Sequence, residues 1–331
     1  MWEARSTLPG DLTGPVLTPH APRPARTRRA PAVRVAARTV LRGAGVATAP
    51  LRPPPDYLII GAKRSGTTSL HRWVLAHPQV LALYPSARWL PLRSDIKGVH
   101  GFDRARGTWW YRSHFPTRAT RALAARRSGG GPVVAGEATP YYLHHPHAAD
   151  RAAAVVPGAR LVVLLRDPVE RAWSHWKEQR RRGFEPLETF EEALEAEPAR
   201  LAGEAERLAA DPRYRSFAHE HQSYAATSRY TEALARWQGA FPPEQLLVLR
   251  SEDLFTDPQA TFGRVLAFLG LHPAQLAEAA PFNRIAGTLA PATRARLAAE
   301  LAPDTAALED RLGRSFGWST SASDPAAVTS R

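Results

Sequence analysis

The chain has 331 residues, 44% hydrophobic and 23% charged, which are ordinary globular proportions and exclude a wholly disordered or fibrous chain. It contains no cysteine, so disulfide scaffolds, thiol catalysis and cysteine-ligated zinc or iron–sulfur centres are excluded. The formal net charge is +13, and more than half of the excess lies in residues 1–52, where nine arginines face only Glu3 and Asp11.

That first stretch is rich in Pro, Ala, Arg and Thr and poor in large apolar side chains. Such a composition cannot bury enough surface to offset the entropy of ordering, so residues 1–52 read as a disordered basic tail, with at most a turn or two of helix at 32–41. It lacks aromatic or lysine interleaving, so no specific nucleic-acid partner is expected. No run of about 18 apolar residues is present, which argues against a transmembrane segment. The start also lacks an apolar core before a small-residue cleavage site, and a cytoplasmic setting is the expectation.

From residue 53 the pattern changes. Residues 57–61 (YLIIG) form a short β-branched run ending in glycine, the signature of a buried parallel strand. Residues 67–76 have helical spacing, with Leu70, Trp73 and Val74 on one face. Residues 133–135 and 161–165 (LVVLL) read as further strands. Asp167 and Pro168 are an N-cap and a first helical residue for a helix running to about Arg182. The Glu-, Ala- and Arg-rich residues 185–215 read as a solvated helical insertion. Residues 246–249 form a fourth strand, and Asp257-Pro258 opens a helix through residue 269. Strands alternating with helices predict an α/β, P-loop-like three-layer fold with a central parallel sheet flanked by helices. One domain over 53–318 is expected, with residues 319–331 a frayed tail.

Chemistry enters at residues 61–68, GAKRSGTT, between the first strand and its helix. Backbone amides there, at the positive helix end, form an anion cradle. Gly61 and Gly66 have the spacing of a nucleotide-binding GxxxxGK[ST] loop, but Thr67 stands where that loop has its lysine. The lysine is instead Lys63, inside the loop. Lysine is rare here: of 44 basic residues only Lys63, Lys97 and Lys177 are not arginine. A P-loop nucleotide kinase or NTPase is the alternative reading, opposed by the displaced lysine.

Lys63 in this loop resembles the 5′-phosphosulfate loop of sulfotransferases that use 3′-phosphoadenosine 5′-phosphosulfate (PAPS). Arg166, at the end of LVVLL, with Ser174 eight residues on, is similar to the pair with which that family holds the 3′-phosphate. The segment of residues 97–103 (KGVHGFD), with Gly107, Trp109, Trp110, Tyr111 and Phe115-Pro116, resembles the acceptor-side segment of heparan-sulfate-type and related bacterial sulfotransferases. Residues 137–142 resemble their next strand and loop. The resemblance covers roughly 55–318. It implies PAPS as donor, no metal, a small-molecule or glycan acceptor, and a donor site of Lys63, Arg64, Ser65, Gly66, Thr67, Thr68, Ser69, Arg166 and Ser174.

Two positions depart from the family's pattern. Where the heparan-sulfate enzymes commonly carry Glu after the motif lysine, a proposed general base, this chain has Gly98. Where they often carry Lys after the Glu of the next loop, it has Ala138. Sulfuryl transfer to a hydroxyl or amine needs a cation at the leaving oxygen, a role for Lys63, and a base at the acceptor. His100 is the first candidate, because imidazole titrates near neutrality. In an extended segment it also takes the same face as position 98. Glu137 is the second candidate base, with a purely structural role weighted equally. Asp103 is expected to orient His100 or touch the acceptor.

Overall fold

The computed structural model describes residues 16–17, 32–86, 97–128, 131–276 and 287–318. In chain order the strands are β1 (Val16–Leu17), β2 (Tyr57–Gly61), β3 (Val80–Leu81), β4 (Val134–Ala138), β5 (Arg160–Leu165), β6 (Leu246–Arg250) and β7 (Gln275–Leu276). The helices are α1 (Ala32–Ala47), α2 (Thr67–Ala76), α3 (Thr108–Arg112), α4 (Arg118–Arg127), α5 (Ala148–Val155), α6 (Pro168–Arg182) and α7 (Phe190–Leu201). They continue with α8 (Glu204–Ala210), α9 (Phe217–His221), α10 (Thr231–Ala240), α11 (Asp253–Thr256), α12 (Pro258–Leu269) and α13 (Pro291–Leu312).

The central sheet runs β3-β4-β2-β5-β6 and is parallel throughout. Side chains along each strand alternate between two cores, as the two-residue period requires. Leu58 and Ile60 of β2 and Leu161, Val163 and Leu165 of β5 pack with α5, α10 and α13. Tyr57, Ile59, Val162 and Leu164 face the other way, onto Leu70, Trp73 and Val74 of α2 and Phe262, Val265 and Leu266 of α12. A strand covered on both faces must be apolar without interruption, which is why LVVLL was legible. The sheet reverses direction of growth between β2 and β5, so their C-terminal ends open the crevice where ligands of open α/β sheets bind.

The structure differs from the sequence reading at two places. Helix α1 and the 3-10 turn Ala49–Leu51 lie within the stretch read as a disordered tail, and the chain packs onto the domain before residue 53. Polar contacts of arginine help attach it, with Ala49 fully buried. Arg42 donates to the Ser113 and Tyr84 carbonyls, and Arg52 is buried, donating to the Phe115 carbonyl and lying 4.1 Å from the Tyr84 ring. Residues 1–15 and 18–31, and the frayed tail expected over 319–331, lie outside the described residues. The insertion read as solvated also has a buried side. Phe190 and Ala193 pack against α6, and Glu197 accepts hydrogen bonds from the amides of Tyr224, Ala225 and Ala226.

Arg52→Ala removes a buried, charge-assisted hydrogen bond worth about 1.5–3 kcal/mol. The variant is expected to melt several degrees below wild type by calorimetry; an unchanged melting temperature would show that this segment is not part of the domain.

Candidate active site

The loop between β2 and α2 is a backbone cradle. The Ala62 amide donates to the Leu164 carbonyl at 2.7 Å, and Ser251 Oγ donates to the Ser65 carbonyl at 3.1 Å, so the loop is tied to β5 and to the end of β6. Arg64 takes φ +71°, a left-handed conformation uncommon outside glycine, and Gly66 takes φ +82°. Gly66 is the N-cap of α2, and no side chain caps the helix there. First-turn amides have no intrahelical partner, and they sit at the positive end of the helix dipole. Ser65 Oγ is buried with no hydrogen-bond partner among the described residues. Open amides and an orphaned hydroxyl fit a phosphate-bearing anion.

Cations from three segments surround this cradle. Lys63, half-buried, donates to the Glu220 carbonyl of α9 and lies 4.3 Å from the centre of the Tyr141 ring. Burial lowers its pKa to about 8, against the opposing pull of Glu220 and Asp103. Arg64 Nε donates to Ser174 Oγ at 3.1 Å, and its guanidinium is 3.7 Å from Glu178. Arg166 donates to the Arg64 carbonyl at 3.2 Å and pairs with Glu170 at 3.2 Å. The structure therefore brings Arg64, Arg166 and Ser174 together, although the pairing of Ser174 is with Arg64. Lys97, which the sequence reading left without a role in the donor site, donates to Thr68 Oγ1 at 2.8 Å and Thr67 Oγ1 at 3.3 Å. Its rarity and its place at the head of KGVHGFD were the available signals. Burial, reinforced by repulsion from Arg64, Arg72 and Arg182, lowers its pKa to about 7. Ser69 is buried in the same first turn.

The acceptor-side segment is suspended from β4. The Ala138 amide donates to the Lys97 carbonyl at 2.9 Å, and the Gly101 amide donates to Tyr142 Oη at 2.8 Å. Glu137 is its anchor. One oxygen accepts from Tyr111 Oη at 3.0 Å and Tyr142 Oη at 2.8 Å; the other accepts from Thr139 Oγ1 at 2.6 Å and the Val99 amide. Burial raises the Glu137 pKa against these four bonds. With both oxygens engaged and no solvent exposure, Glu137 has no lone pair that an acceptor can reach, and it pairs with neither Lys97 nor Arg64. The geometry is that of a structural carboxylate and speaks against its candidacy as base.

His100 is reached differently from the extended reading. The segment is not a strand, and His100 takes φ +56°. Gly98 is also closed to side chains: a Cβ there would lie 2.6 Å from Thr139 Oγ1 and 2.8 Å from the Ala138 carbonyl. His100 and position 98 therefore do not exchange by facing one side of a strand. Instead His100 Nδ1 lies 2.7 Å from Asp103 Oδ2. A ring nitrogen of His100, a carboxylate oxygen of Asp103 and one of Glu220 lie within 4.8 Å of one another. Glu220 had no signal in sequence. It sits on α9, which the contact of Tyr141 Oη with His219 Nδ1 at 2.8 Å holds over Lys63. Of the aromatic run, Tyr111 is buried, Trp110 is partly covered and Trp109 is exposed.

The sulfotransferase family profile matches residues 55–275, two thirds of the chain. This chain belongs to the sulfotransferase family. Its relatives include bifunctional heparan sulfate N-deacetylase/N-sulfotransferase 3 of Homo sapiens, 29% identical over 224 residues. Another is bifunctional heparan sulfate N-deacetylase/N-sulfotransferase 4 of Mus musculus, 26% identical over 226 residues. Each alignment covers 66% of this chain and 22% of the relative, so the matched region spans about a fifth of those proteins. A crystal structure of a sulfotransferase from Alicyclobacillus acidocaldarius is similar with a TM-score of 0.55 and 26% identity, covering 80% of this chain and 99% of that one. The parallel sheet and its helices are thus the fold of this family of transferases.

Near neutral pH the lowered pKa values leave Lys97 and Lys63 partly deprotonated, and a bound phosphate stabilises their charged forms. Binding of adenosine 3′,5′-bisphosphate at pH 8 is therefore expected to take up protons, with affinity falling as pH rises through about 8. Calorimetry in buffers of differing ionisation enthalpy reads the uptake; none at pH 8 would show that these lysines do not meet the anion.

Proposed function

We propose that this sulfotransferase moves a sulfuryl group from PAPS to a hydroxyl or amine of a glycan-like acceptor. The observation that carries the reading is the junction at Lys63. On one side lies an anion cradle lined with cations; on the other, a histidine–carboxylate cluster. A cation for a leaving group and a base for a nucleophile therefore share one crevice.

The residues divide by chemistry. The amides of Arg64 and residues 66–68, with the side chains of Arg64, Ser65, Thr67, Thr68 and Ser69 and the backbone of Gly66, would hold the 5′-phosphate side of the donor. Arg166 and Ser174 would lie toward its 3′-phosphate, where a guanidinium suits a phosphate dianion. When bound, the donor supplies a sulfuryl group on a phosphate leaving group, in-line chemistry analogous to phosphoryl transfer. Lys63 directs its ammonium at the leaving oxygen. Asp103 accepts the Nδ1 hydrogen bond of His100, which leaves Nε2 as the basic nitrogen toward the acceptor. Glu220 brings to that side the carboxylate that position 98 lacks. The names of the curated relatives, heparan sulfate N-sulfotransferases, support a glycan amine or hydroxyl as the nucleophile. The kinase reading is disfavoured by Thr67, which stands at the catalytic lysine position of a nucleotide-binding loop.

Lys63→Ala is expected to lower kcat by roughly 3–4 kcal/mol of barrier, by analogy with loss of an oxyanion donor, while bisphosphate affinity falls much less. A labelled-PAPS turnover assay measures it, and turnover within a few-fold of wild type would contradict the role given to Lys63.

His100→Gln should lower turnover by about 10²–10⁴, the usual range for general base catalysis, with bisphosphate affinity unchanged. Glu220→Gln should lose less, chiefly in kcat/KM for the acceptor. If His100→Gln keeps wild-type turnover while Glu220→Gln loses it, the base is Glu220.

A further inference from the structure

The donor loop has the spacing of a magnesium-dependent nucleotide site without its lysine. In such a loop the Ser or Thr after the lysine presents its hydroxyl to Mg²⁺. Counting from Gly61 and Gly66, that residue is Thr68. Here an ammonium lies against that hydroxyl: Lys97 Nζ is 2.8 Å from Thr68 Oγ1 and 3.3 Å from Thr67 Oγ1. Lys97 arrives from outside the loop, 29 residues further along the chain. Its backbone is fixed by the Ala138 amide, and the neighbouring Val99 amide by the Glu137 carboxylate. Its position is therefore set by β4.

Three further observations bear on its role. Among the described residues Lys97 forms no ion pair with a carboxylate; Arg64, Arg72 and Arg182 act on it as like charges. An ammonium carries three donors, and the two threonine hydroxyls take two, so one is left for an anion in the cradle. Magnesium, by contrast, demands six oxygen ligands in an octahedron, several of them carboxylate, phosphate or water. A site ringed by guanidinium groups, with the Lys97 amine filling the position at the hydroxyl, is electrostatically and sterically hostile to a dication.

We propose that Lys97 is a built-in substitute for magnesium: its ammonium takes the metal's place at Thr68, so that the 5′-phosphate side of the donor is held without a divalent cation. The proposal rests on the sulfotransferase reading above and adds a residue role to it. It also gives the loop a specificity device. A magnesium–nucleoside triphosphate must displace a protein cation to reach Thr68, whereas a metal-free phosphosulfate need only accept its third hydrogen bond.

The test is calorimetric binding of adenosine 3′,5′-bisphosphate to wild type, Lys97→Ala and Lys97→Met, each in EDTA and in millimolar MgCl₂. Melting curves for each variant report folding, and Lys97→Met keeps the apolar stem should Lys97→Ala fold poorly. Wild type is expected to bind equally well in both buffers. The variants should bind about 10–100-fold more weakly in EDTA, the loss expected for one charge-assisted hydrogen bond. They should regain affinity in magnesium, because the dication can then reach Thr68; adding Thr68→Val should abolish the regain. Wild type that needs magnesium, or folded variants that bind normally in EDTA or gain nothing from the metal, would overturn the assignment while leaving the sulfotransferase reading in place. Wild type that takes ATP with magnesium and not the bisphosphate would overturn both.

Discussion

Like charges must be held together before any ligand arrives. Lys63, Arg64, Lys97 and Arg166 come from three segments to the C-terminal ends of β2 and β5; Arg166 disfavours the charge of Arg64, Arg64 that of Lys97, and Arg182 that of Lys63, Arg64 and Lys97. The fold accommodates this with partial compensation. Glu178 lies against Arg64, Arg181 and Arg182, and Glu170 against Arg166. Lys63 leans on a carbonyl and a ring face, and Lys97 on two hydroxyls. Backbone contacts do the holding: the loop is tied to β5 and the segment of Lys97 to β4, so the cations cannot relax apart without breaking backbone bonds to the sheet's inner strands. What remains is a site whose electrostatic deficit is an anion.

The same economy governs the acceptor side. Glu137 is buried among four donors, and these donors belong to β4's end, to α3 and to residue 99. It thereby fixes the turn that lifts His100 into a left-handed conformation beside Asp103. A carboxylate that resembles a catalytic group by its place in a motif is thus engaged in scaffolding. The accessible polar groups beside it are His100, with the buried Asp103 behind it, and Glu220.

How much was legible depends on how local each cause is. YLIIG, GAKRSGTT and LVVLLRDP each carry strand, turn and cap information within about ten residues, so the sheet's centre, the glycine loop before α2 and the start of α6 could be read directly. His100 could not be placed, because its backbone is set by Tyr142 Oη on Gly101, 41 residues away, and by Thr139. Lys97 announced itself by its rarity and as the first residue of KGVHGFD; its target, Thr68, is a tertiary fact. Glu220 lies in a charged stretch indistinguishable from a solvated helix, and only the docking of α9 over Lys63 gives it a role. Residues 32–52 looked like tail because the contacts that attach them run from Arg42 and Arg52 to backbone carbonyls far along the chain, which composition does not reveal.

The central claim is that a cation-lined cradle and a histidine–carboxylate cluster form one sulfuryl-transfer site. It is tested most directly by incubating the purified protein with PAPS labelled in its sulfuryl group and a panel of amine- and hydroxyl-bearing glycans. The account predicts label in a glycan, with one adenosine 3′,5′-bisphosphate released for each group transferred. Label that stays in the donor, or appears only as inorganic sulfate across acceptors of both kinds, would contradict it.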